Sequence, residues 1–150
     1  MIMTPKIGRG VLTYPGKQDV DHAWAYLPDL CRAAVMLAEK RDQLNRFEDV
    51  AFPGYTLTGN ALTQALEQVL GRSIKVKSMA WWAIQLASPV WKLAPHLLEM
   101  RYLWNTSHQL DGARFEALLP EFEATELHVA LASALPETAV PQKSMSTQTI

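Results

Sequence analysis

An α+β fold, mostly helical with a few short strands, follows from three features of the sequence. Hydrophobic residues make up 49% of the chain and charged residues 19%, enough apolar material to pack rather than to stay disordered. Apolar residues recur at helical spacing in several stretches of about ten residues, each bounded by Pro, Gly, Asp or Thr. Between them lie runs of four or five residues with period-two alternation, too short for anything but small strands.

Taken in order, residues 1–10 carry Pro5, Gly8 and Gly10 without a sustained period, so the chain reads as joining a domain part-way. Val11 to Tyr14 is a short strand, and Pro15-Gly16 then turns the chain. Ala23 to Leu27 alternates large and small residues as a second strand, with His22, Trp24 and Tyr26 on one face. Pro28 and Asp29 open a helix, because proline lacks a donor that the first turn cannot use and aspartate complements the positive helix end. Its apolar stripe is expected to be Leu30, Ala33, Ala34, Leu37 and Leu44.

Glu48 to Phe52 is expected as a strand closed by Pro53-Gly54. Thr58 then caps a helix over Leu62, Ala65, Leu66, Val69 and Leu70, and Gly71 supplies its left-handed stop. Ser73 to Met79 alternates Ile74 and Val76 with Lys75 and Lys77, as a half-exposed edge strand does. Ala80 to Ala87 forms a helix, Pro89 punctuates it, and Val90 to Trp104 continues as a longer helical stretch bent near Pro95. Asp111 caps a short helix through Leu118, and Thr125 caps another holding Leu127, Ala130, Leu131 and Ala134. Residues 1–135 therefore read as one domain, and 136–150, rich in Ser, Thr, Gln and Pro, as a flexible tail.

Charge and composition exclude several function classes. The 14 Lys and Arg against 15 Asp and Glu leave a net charge of -1, with no field to draw a phosphate backbone or anionic lipid. Arg72, Lys75 and Lys77 are read as protection of a strand edge, so no nucleic-acid partner is expected. No apolar run reaches the roughly 20 residues of a membrane span, and residues 1–10 lack the apolar core of a signal peptide. Cys31 stands alone, which rules out an internal disulfide and suits a reducing, cytoplasmic setting.

Sites of known chemistry are sparse. His96 and Glu99 are three positions apart with His108 further on, a spacing better explained by an exposed helix face than by a metal site. Cys31 has no base beside it in sequence, and no G-x-S-x-G elbow occurs, so no catalytic nucleophile is assigned. Trp81, Trp82, Trp91 and Trp104, with Met79 and Met100, read as core or interface.

Three segments, in order, carry a resemblance. They are Tyr26-Leu27-Pro28-Asp29-Leu30 leading into an alanine-rich helix, Phe52-Pro53-Gly54-Tyr55-Thr56-Leu57-Thr58 followed by Gly71, and Leu110-Asp111-Gly112-Ala113-Arg114 with Leu118-Leu119-Pro120 and Thr125-Glu126-Leu127. Across roughly Gly10 to Leu135 the chain resembles the carboxy-terminal, substrate-side region of NAD(P)-dependent epimerases/dehydratases of the extended short-chain dehydrogenase/reductase family.

The resemblance implies that His22, Trp24 and Tyr26 reach the substrate cleft, where they could stack on and hydrogen-bond a small polar ligand. Many relatives have an arginine near the position of His22, so a weaker grip on a nucleotide diphosphate is implied here. The family binds NAD(P) through a glycine-rich turn and uses a tyrosine–lysine pair. The glycines at 8, 10, 16, 54, 59, 71 and 112 do not give that spacing, and Tyr14, Tyr26, Tyr55 and Tyr102 are followed four positions later by Gln18, Leu30, Gly59 and Thr106. The expectation is a substrate-binding part without the Rossmann core, holding no cofactor and inert alone. Its expected partners are a missing amino-terminal Rossmann half or a second copy through the Trp81 to Trp104 region, and a stand-alone interaction or oligomerisation module is the alternative.

Overall fold

A computed structural model describes Lys6 to Pro136; the tail expected over 136–150 lies, beyond its first residue, outside the described residues. The architecture is α+β, with six α-helices and four short strands among those residues. β1 (Val11–Tyr14) pairs in parallel with β4 (Lys75–Ser78), Val11 against Lys75 and Tyr14 against Ser78. β2 (Asp21–Trp24) pairs antiparallel with β3 (Tyr55–Thr58), Asp21 against Thr58 and Trp24 against Tyr55. No described helix is long and apolar enough to cross a membrane.

α1 (Leu27–Glu39) begins as its sequence dictates, with proline in the first turn, and α2 (Gly59–Leu70) is capped where expected. Thr58 Oγ1 accepts from the Ala61 amide at 3.1 Å, and Gly71 closes α2 at φ 63°. Leu62, Leu66 and Leu70 point inward with Ile7, Leu12, Tyr14, Ile74 and Leu135 to form the larger core, between α2 and the β1–β4 pair. Alternation along β1 explains its share: Leu12 and Tyr14 are buried while Val11 and Thr13 are half-buried.

A second, smaller core joins α1 to α5 (Ala113–Leu118) through Ala33, Phe115 and Leu119. Phe52, Phe115 and Phe122 meet edge to face there, with ring centroids 5.2 to 6.0 Å apart. Asp29 is buried in the first turn of α1 and accepts three hydrogen bonds: from the amide and hydroxyl of Thr125, just ahead of α6 (Leu127–Ala134), each at 2.8 Å, and from Arg32 Nη2 at 3.0 Å.

Several expectations are corrected. Glu48 to Phe52 forms no strand; the strand comes after Gly54, at Tyr55–Thr58. Phe52 is committed to the aromatic cluster and Glu48 to Arg114 at 2.7 Å and to the amides of Asn45, so this segment packs on helices instead of joining a ladder. Gly54 turns the chain at φ 55° where a β-carbon would lie 2.1 Å from the Trp24 carbonyl oxygen. The second strand stops at Trp24, because helical geometry starts at Leu27.

The stripe of α1 is also rotated: Leu30 and Ala34 face outward, and the inward line is Asp29, Ala33, Met36 and Leu37. The bonds of Asp29 to Thr125 set that rotation, since one buried carboxylate fixes which side of the first turn faces in. Thr125 is accordingly spent on Asp29 and does not cap α6, whose boundary residue is Glu126. Asp111 does assist α5, accepting from the Ala113 amide at 2.9 Å. The stretch 90–104 divides into α4 (Ala94–Glu99), with proline in its first turn, and a 3-10 turn over Met100–Asn105, while α3 (Trp81–Ala87) precedes them.

Candidate functional site

β2 carries two of the residues singled out above into one cleft. His22 and Trp24 alternate onto the same side of the strand, and the 3-10 turn Met100–Asn105 lays Trp104 across them. The cleft encloses about 150 Å3 and is walled by His22, Trp24, Met100, Leu103, Trp104 and His108. Trp104 organises it: its ring meets Tyr14, His22 and Trp24 at centroid distances of 6.3, 5.5 and 6.2 Å. Gly16 permits the approach, because a β-carbon there would sit 2.0 Å from the Trp104 carbonyl oxygen.

Tyr26 lies outside this cleft. It is the boundary residue of α1, and its hydroxyl hydrogen-bonds Ser133 Oγ on α6 at 2.7 Å. Of the three residues, the structure brings together His22 and Trp24 and sends Tyr26 to the helical side.

The two histidines define the polarity of the cleft. His22 is 2% exposed, and its Nδ1 stands 3.4 Å from Nδ1 of His108, whose backbone amide is held by the Asp21 carbonyl at 3.1 Å. The Thr106 carbonyl, 3.2 Å from His108 Nδ1, can only accept, so the proton belongs on His108 Nδ1 and is shared between that carbonyl and the facing Nδ1 of His22. That assignment leaves the proton of His22 on Nε2, which is buried and has no hydrogen-bond partner. Burial pushes the His22 imidazole below its ordinary range, and the like charge of His108 adds to the effect. The Trp104 carbonyl and Asp21 pull the other way without cancelling it. Burial thus favours the neutral ring, and Nε2 makes no hydrogen bond of ordinary length, although the Trp104 carbonyl is close enough to act on the ring.

Nothing in the sequence joins His108, Met100, Leu103 and Trp104 to His22. His22 and His108 are 86 positions apart, and only the aromatic and thioether richness of the segment hinted at a role. His96 and Glu99 lie on α4 and do not line this cleft, and among the described residues no group of three or more His, Cys, Asp or Glu side chains converges as metal ligands would. Cys31 is exposed on the outer side of α1.

Among the described residues no glycine-rich turn joins a strand directly to a helix start. The left-handed glycines, Gly10, Gly54 and Gly71, sit in three separate turns, and β1 leads into a turn and β2, not into a glycine-rich helix start. Tyr14 also has no lysine at its hydroxyl, which is buried, unpartnered and pushed up by desolvation, the wrong direction for a base.

No protein-family model, curated protein or solved structure matches this chain.

Proposed function

We propose that the chain is a ligand-binding, non-catalytic unit, the substrate-side portion of an NAD(P)-dependent epimerase/dehydratase-like oxidoreductase, with the His22–Trp104 cleft as its ligand site. The observation that carries this reading is a buried imidazole nitrogen that makes no hydrogen bond of ordinary length, in the wall of an aromatic cleft. A buried N–H left unpaired costs roughly 1–3 kcal/mol, which a ligand carbonyl or hydroxyl reaching it would recover. A space near 150 Å3 takes one small ring, and the tryptophans on two sides favour a planar or puckered one of low polarity. The family part of the reading rests on the sequence resemblance alone. In that division of labour another polypeptide segment holds NAD(P) and performs the hydride exchange, and this one selects the ligand.

The test combines calorimetry with NMR of the histidine rings. NAD(P) should give no saturable heat with this chain, while small cyclic ketones and lactones should shift the His22 and His108 ring resonances together. Tight dinucleotide binding, or turnover of a ketone with added nicotinamide cofactor, would overturn the proposal, as would rings indifferent to the whole ligand panel.

A second reading, an interaction module, draws on a different observation. Leu86, at the end of α3, and Val90 are 75% and 88% exposed, and Leu93 a little further along the chain is exposed too, apolar surface that a second copy could cover. Analytical ultracentrifugation decides it: a monomer at all concentrations removes this reading, and a dimer broken by Val90→Glu sustains it.

A further inference from the structure

A second cleft, separate from the histidine pair, lies where the parallel strands end. β1 and β4 finish side by side at Tyr14 and Ser78, and the chain leaves them through Pro15-Gly16-Lys17 and through Met79 into α3. Crevices beyond the carboxyl ends of parallel strands are common ligand sites, because the departing loops diverge and leave space. Here that space is about 490 Å3, and its walls include Lys17, Trp81, Trp82, Gln85, Arg101 and Asn105.

Three features of those walls specify a ligand. The first is charge: Lys17 and Arg101 both line the cleft, no Asp or Glu does, and neither cation takes part in an ion pair among the described residues. The second is preorganisation. Trp81 is fixed by its indole N–H, which donates to the Pro15 carbonyl at 2.7 Å, and the Arg101 guanidinium rests over that ring at 5.6 Å from its centroid. A guanidinium stacked on one face keeps its N–H edges for a two-point bond to an oxyanion. The third is an unused aromatic surface: Trp82 is 72% exposed on the wall of the same cleft.

We propose that this cleft binds a small planar aromatic anion, its ring against Trp82 and its carboxylate or phosphate on Arg101 and Lys17. The two head groups share the chemistry that the cations recognise. The two clefts share the 3-10 turn Met100–Asn105 but no lining residue.

The full chain is titrated with 1-naphthoate, with 1-naphthyl phosphate and with the neutral 1-naphthalenemethanol, following the tryptophan indole N–H resonances by NMR. Saturable shifts of the Trp81 and Trp82 signals with an anion, and binding of the neutral ring weaker by about tenfold or more, are expected from loss of charge-assisted bonds. The tighter of the two anions identifies the head group. Arg101→Gln and Trp82→Ala should each weaken binding by about tenfold, both being exposed side chains whose loss leaves the core intact. Arg101→Lys should retain part of the affinity, and His108→Gln, in the other cleft, all of it. Shifts centred on Trp104, equal affinity for the neutral ring, indifference to Arg101→Gln, or no saturable response to either anion would each overturn the proposal.

Discussion

Replacing Asp29 by alanine tests how α1 is held to the carboxy-terminal segment. The carboxylate is 3% exposed and accepts two hydrogen bonds from Thr125, 96 positions away, and one from Arg32. The Arg32 side chain is half exposed, so its pairing contributes at most about 1 kcal/mol. Each bond from Thr125 to the ionised oxygens is worth roughly 1.5–3 kcal/mol, and the substitution strands both donors in a low-dielectric wall. Allowing for partial relaxation, Asp29→Ala should cost about 3–5 kcal/mol, and Thr125→Val, which keeps the amide bond, about 1–2 kcal/mol. Urea unfolding followed by circular dichroism reads this directly: with a slope near 2 kcal/mol per molar, the Asp29→Ala midpoint falls by roughly 1.5–2.5 M. In the double variant the two losses should fall short of their sum by more than about 1 kcal/mol. A single-variant loss below about 1 kcal/mol, or simple additivity, would refute the argument.

Two further outcomes follow from close packing and burial. Gly59→Ala places a β-carbon 2.6 Å from Tyr14 Cζ, inside the larger core; overpacking outweighs the gain in helix propensity, and the melting temperature should drop by about 2–8 °C in calorimetry, corresponding to roughly 1–2 kcal/mol. His22 is held below its ordinary pKa in the folded chain, so the unfolded chain binds the proton more readily. Its contribution is complete above about pH 6.5 and is lost as pH falls below that toward the folded value. Urea midpoints measured from about pH 8 to about pH 5 should therefore decline less steeply in His22→Asn than in the parent chain, and equal slopes would count against the buried imidazole.

Local signals were legible in the sequence where one residue settles one geometry. Thr58 and Gly71 bracket α2 because a cap and a left-handed stop act within a single turn, and the lysines of β4 face out because strand period is local. The strand expected at Glu48 to Phe52 failed for a non-local reason: Phe115, Phe122 and Arg114 claim its side chains from 63 to 70 positions further along. The same distinction divides the cleft. His22 and Trp24 were accessible through strand alternation, whereas Trp104 and His108 arrive by a tertiary crossing that no short window contains. Tyr26 was grouped with them by carrying that alternation past Trp24, where the backbone had already turned toward the helix.

The division of buried apolar residues into two clusters has a consequence for how the molecule opens. Eight residues close the cluster around α2, but only Ala33, Phe115 and Leu119 are fully buried in the one joining α1 to α5. Amide protons in α1 and α5 thus have a cheaper route to solvent than those in α2, by separation of the smaller cluster while the larger stays closed. Hydrogen exchange should sort the chain into two tiers of protection, with the boundary falling between helices, not between the start and the end of the sequence.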